Sequence, residues 1–260
     1  MSRQQRIMST TGIYHIMLRG NERKNIFSNR RDKQCFLESV AIKLEQMDFS
    51  LYAYCLMDNH VHILLNTREK DLSSIMKGIA VRYAYFFNAR YSRVGHVFQD
   101  RYKSEAVEDE PYLLAVTRYI HNNPVKAGIV DKPQQYPWSS YKNYVDFEDD
   151  KLVDTHFILR LFSDNLKIAV KNFERFSNET DCGEYLDYND EYEIRSVNDG
   201  RIYLEKYLKE KWSGRTLAEA LAEDRRGVIL DLRTNTKLSV RAIAELLGVN
   251  RNVVERTRIG

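Results

Sequence analysis

The residues with most chemical content lie together in Asp58-Asn59-His60-Val61-His62-Ile63-Leu64-Leu65. In a strand, side chains alternate between faces, so His60 and His62 point one way and Val61 the other. Two imidazoles two residues apart on one face make half of a metal site. The plainer reading is a pair of hydrogen-bonded or surface histidines. No zinc-hydrolase extension follows, because the next histidine is the distant His96. A metal needs further ligands, and Arg118-Tyr119-Ile120-His121-Asn122-Asn123-Pro124 offers one. Asn123 can present its side-chain oxygen to a divalent ion, and Tyr119, four residues earlier, would share its helix face. A residue before proline avoids the helical region, so Asn123 is expected just past the helix end, aimed by the turn.

The elements that must position these groups follow from hydrophobic spacing. Gly12–Leu18 reads as a strand ending at the turn-like RGNERKN, and Arg31–Met47 has helical spacing. Phe49–Met57 and Val61–Leu65 are apolar, β-prone and separated by Asp58–Asn59, which signals a hairpin. Leu72–Asn88 is helical again. Lys103–Val107 is a short strand candidate, and Tyr112–Asn122 is a helix with Pro111 in its first turn, ended by Pro124. The order β-α-β-β-α-β-α fits an α+β fold, a ferredoxin-like antiparallel sheet with packed helices. Beyond Trp138 the pattern is wholly helical, with apolar periodicity in Phe157–Phe162 and Ile168–Phe176. The acidic stretch Asn178–Asn198 is the best linker candidate.

An all-α C-terminal region is expected to carry a helix-turn-helix. In LSVRAIAELLGVNRNVVERTR, Ser239 is a plausible cap, Ile243 and Leu247 are buried, Gly248 breaks the helix and Asn250 caps the next. That second helix exposes Arg251, Asn252 and Arg256, residues that read base edges or hold phosphates. A plain helical hairpin would share the spacing. Three segments result: 1–145 as the domain that carries the histidine pair and Tyr119, 146–200 as helical extension and acidic linker, and 201–260 as a DNA-binding region.

Composition narrows the class. A chain of 260 residues, 43% hydrophobic and 30% charged, is globular rather than disordered or fibrous. No run approaches the ~20 apolar residues of a membrane span, and the opening MSRQQRIMSTTG lacks a secretory apolar core. Cys35, Cys55 and Cys182 fit neither a zinc pattern nor a disulfide framework. A cytoplasmic location without a membrane partner is the expectation. The net charge of +3 is small, but Met1–Gln34 holds eight basic residues, Arg3 and Arg6 included, against two acidic ones. Such a basic front suits a partner rich in phosphate.

HVHILL after a polar turn, followed by YLLAVTRYIHNNPVKAGIV, resembles the single-tyrosine transposases with the HUH motif (histidine, bulky apolar residue, histidine). TGIYHIMLRGNERKNIF, GHVFQDRYKSEAV and PWSSY are similar to the branch called REP-associated tyrosine transposases, over roughly residues 10–145. The resemblance implies His60 and His62 as metal ligands, Asn123 as the third ligand position and Tyr119 as nucleophile. With seventeen tyrosines in the chain, the residues alone do not single out Tyr119. It further implies cleavage of single-stranded or hairpin DNA by a monomer or homodimer, through a 5′-phosphotyrosine and a free 3′-OH. Two imidazoles and an amide oxygen suit Mn²⁺ and tolerate Mg²⁺. For DNA contact the candidates are Arg19, Arg23, Lys24, Arg101 and Lys103, with Phe98 and Tyr102 as stacking surfaces. His15 is expected beside the site or in the core, and His121 as structural or DNA-contacting. Three other functions remain: a replication-initiator-like or relaxase-like nickase, a regulator that binds DNA through the C-terminal helices, and a phosphoesterase that forms no covalent adduct.

Overall fold

Strand β1 (Ile13–Arg19) and strand β2 (Ser50–Leu56) are buried along their whole length, which is why neither shows a clean apolar–polar alternation. Between them runs helix α1 (Arg30–Gln46), and after them come β3 (His60–Asn66), α2 (Leu72–Arg90), β4 (Lys103–Ala106) and α3 (Glu110–Lys126). The computed structural model describes residues 8–146, 152–179, 183, 185–186, 197–212, 215–236 and 238–257. Among these, one four-stranded antiparallel sheet forms in the order β2-β3-β1-β4. That is the order and sense a ferredoxin-like arrangement requires.

Register sorts the side chains. Directly opposed residues of antiparallel strands share a face. His60 lies opposite Arg19, His62 opposite Met17 and Leu64 opposite His15. Met17 in turn opposes Lys103, and His15 opposes Glu105. All of these sit on one face, and α3 lies across it against β2 and β3. The opposite face carries Val61, Ile63 and Leu65, buried in a core to which α1 and α2 add Phe36, Val40, Ile75, Ile79 and Tyr83. Helix α1 starts at a reciprocal cap. Asn29 accepts from the Asp32 backbone, and the buried Asp32 carboxylate accepts from Ser28 N, Asn29 N and Tyr91 Oη.

Helix α3 departs from the expectation. Pro124 lies inside it, and the helix runs on to Lys126 before Gly128, at φ +67°, turns the chain. Proline removes one donor but leaves later turns free to form, and Ala127 N still reaches Asn123 O at 3.0 Å. Asn123 therefore has helical backbone and a fixed aim rather than one set by a turn.

Helices α4 (Tyr141–Val145), α5 (Thr155–Arg160) and α6 (Leu166–Ser177) follow. Ile158, Leu159, Ala169, Val170 and Phe173 join the same core as the sheet. The chain accordingly divides into compact units Met1–Leu186 and Asp187–Gly260, so the first unit continues past the break expected at residue 145. Most of the acidic stretch read as a linker, together with Arg3, Arg6, Cys182 and Arg258, lies outside the described residues.

The second unit has its own core of Leu204, Ala220, Val228, Ile229, Leu232, Ile243, Leu247 and Val254. It holds α7 (Val197–Lys211), α8 (Leu217–Asn235), α9 (Val240–Leu247) and α10 (Arg251–Arg256). Ser239 caps α9 by accepting from Ala242 N, Gly248 closes it in the left-handed conformation, and Asn250 caps α10. No helix among the described residues is long and apolar enough to cross a membrane.

Candidate active site

Four side chains from two distant stretches meet where α3 crosses β3. The His60 and His62 rings stand edge to face with centroids 5.1 Å apart, and Tyr119 lies 5.4 Å from His62. His60 Nε2 is 3.3 Å from Asn123 Oδ1, while its Nδ1 faces Asn59 Oδ1 at 2.7 Å. With the ring proton on Nδ1, donated to Asn59, the Nε2 lone pair confronts the Asn123 oxygen. Two acceptors so close invite a cation between them, and neighbouring ligand atoms around a small divalent ion are about 3 Å apart. His62 Nε2 is buried with no hydrogen-bond partner. Among the described residues no group of three His, Cys, Asp or Glu side chains could hold a metal, so a cation here would rest on two imidazoles and an amide. The donors present fit that role: neutral, borderline to hard, with a buried lone pair otherwise unsatisfied.

His15 completes the cluster, with its Nε2 3.0 Å from His62 Nδ1. Both rings are fully buried. Burial pushes the His15 pKa down to about 3, and burial, with smaller contributions from His60 and His15, holds His62 well below its ordinary value. Burial likewise lowers His121 to about 3. The unfolded chain protonates His15 and His121 near pH 6.5, whereas the folded chain resists both protons until near pH 3. The stability these neutral rings contribute is therefore complete above pH 6.5 and is lost as pH falls, by about 1.4 kcal/mol per pH unit for each histidine. Urea denaturation of metal-free protein is expected to show a midpoint falling steeply between pH 6.5 and 4.5. His121→Gln should lessen that slope, and a flat profile would contradict the assignment.

The turn before His60 is held from two sides. Asp58 O accepts from Ile26 N and Phe27 N, and Asn59 O accepts from Gly20 N at 2.8 Å. A Cβ on Gly20 would meet Lys24 O at 2.0 Å, so no other residue fits there. The buried Lys33 ammonium donates to Asp58 Oδ1 and Tyr136 Oη and sits among Phe27, Tyr136 and Trp138. The PWSSY segment runs along the β2 edge, where Trp138 O accepts from Leu56 N and Ser140 Oγ from Tyr54 N. His121 Nε2 lies 2.8 Å from Ser140 Oγ, between Tyr141, Tyr144 and Phe173. It is a structural histidine that ties α3 to the sheet edge.

The predicted DNA contacts divide. Arg19 and Lys103 share the sheet face of the histidines, Lys103 exposed and Arg19 mostly buried. Arg23 and Lys24 lie in the loop after β1, where Lys24 pairs with Glu22 at 2.6 Å, and Arg101 is exposed just before β4. Tyr102 and Phe98 are not open stacking platforms. Tyr102 is buried with its hydroxyl 3.3 Å from Ser73 Oγ, and Phe98 packs against Tyr83. Their apolar rings are worth more in the core than in water. Two neighbours of Tyr119 escaped the sequence reading. Tyr185 stacks on its ring at 4.6 Å, and the Lys126 ammonium sits 4.6 Å from the ring centre. Lys126 follows Tyr119 by seven residues, so helical spacing could have found it, whereas nothing local marks Tyr185.

Residues 9–123 match the family model described as IS200-like transposase. A REP-associated tyrosine transposase named in Haemophilus influenzae is 27% identical over 120 residues, covering 40% of this chain and 65% of that protein. A solved REP-associated tyrosine transposase bound to a REP hairpin is 20% identical, with TM-score 0.49 over 60% of this chain and 90% of the other. A transposase-like structure from Deinococcus radiodurans is 16% identical, with TM-score 0.32, over 46% and 97% of the two chains. The stretch that carries His60, His62, Tyr119 and Asn123 is thus similar to the IS200-like transposases, and the chain spans just under two thirds of the length of the curated relative it matches.

Proposed function

We propose that this protein cuts and rejoins single-stranded DNA at hairpin or palindromic ends, with Tyr119 as nucleophile and a divalent ion held by His60, His62 and Asn123. One observation carries the reading: the unpartnered Nε2 of His62 and the facing pair His60 Nε2 and Asn123 Oδ1 converge beside a tyrosine ring of the same chain. Bound there, Mg²⁺ or Mn²⁺ supplies Lewis acidity toward the scissile phosphate. Tyr119 Oη forms a bond to phosphorus as the bond to the 3′ oxygen breaks. The phenol proton passes to solvent, and the leaving oxygen is protonated to a 3′-OH. Lys126, over the Tyr119 ring, places a positive charge beside the nucleophile. The phosphotyrosine conserves one ester, so an incoming 3′-OH reverses the step without ATP. Arg19 and Lys103, on the sheet face of the histidines, support contacts to the backbone phosphates, and the reading assigns Arg23, Lys24 and Arg101 to the same role.

A hairpin oligonucleotide with single-stranded flanks tests the reading. Cleavage, a covalent adduct and strict dependence on Mn²⁺ or Mg²⁺ are expected. Turnover without an adduct would instead favour a phosphoesterase.

The exposed Arg251, Asn252 and Arg256 of α10 support a second contact, to duplex DNA. Arg251→Ala with Arg256→Ala is expected to weaken duplex binding and to reduce the salt slope by about 2. Unchanged binding at two salt concentrations would leave α9 and α10 as a plain helical pair.

A further inference from the structure

We infer that His15 is a positioning residue for the metal site: it accepts the His62 Nδ1 proton and thereby keeps the His62 Nε2 lone pair aimed at the cation. The inference rests on the metal-binding reading above and adds a residue to it.

An uncharged imidazole carries one N–H and one lone pair. His15 Nε2 and His62 Nδ1 are 3.0 Å apart with both rings fully buried, so only one proton lies between them. If His15 donates, His62 carries its own proton on Nε2, the atom that must hold the cation, and the site is blocked. If His62 donates, its Nε2 is bare and His15 carries its proton on Nδ1. The two remaining ring atoms, His15 Nδ1 and His62 Nε2, have no hydrogen-bond partner. Each arrangement therefore leaves one buried donor and one buried acceptor unsatisfied, and the pair is closely balanced without metal. A cation on His62 Nε2 satisfies the acceptor in one arrangement only, and so selects it.

The fold makes His15 available for this role. Leu64 opposes His15 in register, two residues along β3 from His62 and on the same face. His15 reaches His62 diagonally, with ring centroids 5.2 Å apart and planes tilted by 30°. Its other neighbours are aromatic or distant in function: Tyr119 meets its ring edge-on at 5.9 Å, and the opposed Glu105 spends its carboxylate on Tyr112 Oη and Leu186 N. A buried histidine that bonds only to another histidine has little purely structural reason to be polar, since leucine would fill the volume without an unpaired nitrogen. Outer hydrogen bonds of this kind typically change metal affinity 10- to 100-fold when removed.

Calorimetric titration of the full chain with Mn²⁺ tests the idea. His15→Gln places an amide oxygen where Nε2 stood and should bind within about threefold of wild type. His15→Leu should bind roughly 10- to 100-fold more weakly. Equal affinity in wild type and His15→Leu would overturn the inference while leaving the metal site intact. Absence of Mn²⁺ binding by wild type would instead remove the reading on which it rests. Should the leucine variant fail to fold, imidazole ¹⁵N spectra of Mg²⁺-saturated wild type decide. A His15 proton on Nδ1 is the expected result, and one on Nε2 overturns it.

Discussion

Tyr119→Phe is expected to abolish the covalent protein–DNA adduct and to slow cleavage by on the order of 10⁴-fold or more. The substitution removes one oxygen and leaves the ring. Packing against His62 at 5.4 Å and stacking on Tyr185 at 4.6 Å both persist, so the fold is spared. Binding of hairpin DNA and of Mn²⁺ should stay within about threefold of wild type, because neither depends on the hydroxyl. Denaturing electrophoresis of end-labelled DNA reads the adduct directly as a band shifted by the mass of the protein. An adduct that survives in Tyr119→Phe would move the nucleophile to another tyrosine. Tyr112 is the nearest competitor, but its hydroxyl donates to Glu105 and is held well above its usual pKa, mainly by burial. That makes it a poor nucleophile.

His62→Ala is expected to have the second-largest effect, a loss of Mn²⁺ affinity of at least about 100-fold together with loss of cleavage. His62 supplies the buried Nε2 that nothing else satisfies. Alanine also leaves a cavity and strands His15, so some stability is lost as well. His60→Ala separates the two effects. His60 is half-buried at the start of β3, and its removal opens the site toward solvent rather than hollowing the core. The two alanine variants should fail alike in metal titration and in cleavage, but only His62→Ala should lower the urea midpoint markedly. Manganese-dependent cleavage retained in either variant would remove the proposed ligand set.

Local periodicity carried much of this protein. A strand repeats every two residues, so His60 and His62 had to share a face, and a helix repeats every 3.6, so Tyr119 and Asn123 share another as long as the helix reaches Asn123. The strand and helix order, the caps at Asn250 and Ser239 and the left-handed Gly248 follow from equally local rules. Each depends on neighbours within one turn or one hairpin, which are present in the chain itself.

What brought those two faces together was long-range packing. Sixty-three positions separate His60 from Asn123, and only burial of α3 across β3 closes that distance. The same burial kept α3 helical through Pro124, drew α5 and α6 into the sheet's core and buried the ring of Tyr102 that local sequence had offered to DNA. His15 beside His62 and Tyr185 over Tyr119 are likewise products of register and docking. Spacing along the chain sets which side chains point together. Only the free energy of burying apolar surface sets what they point at.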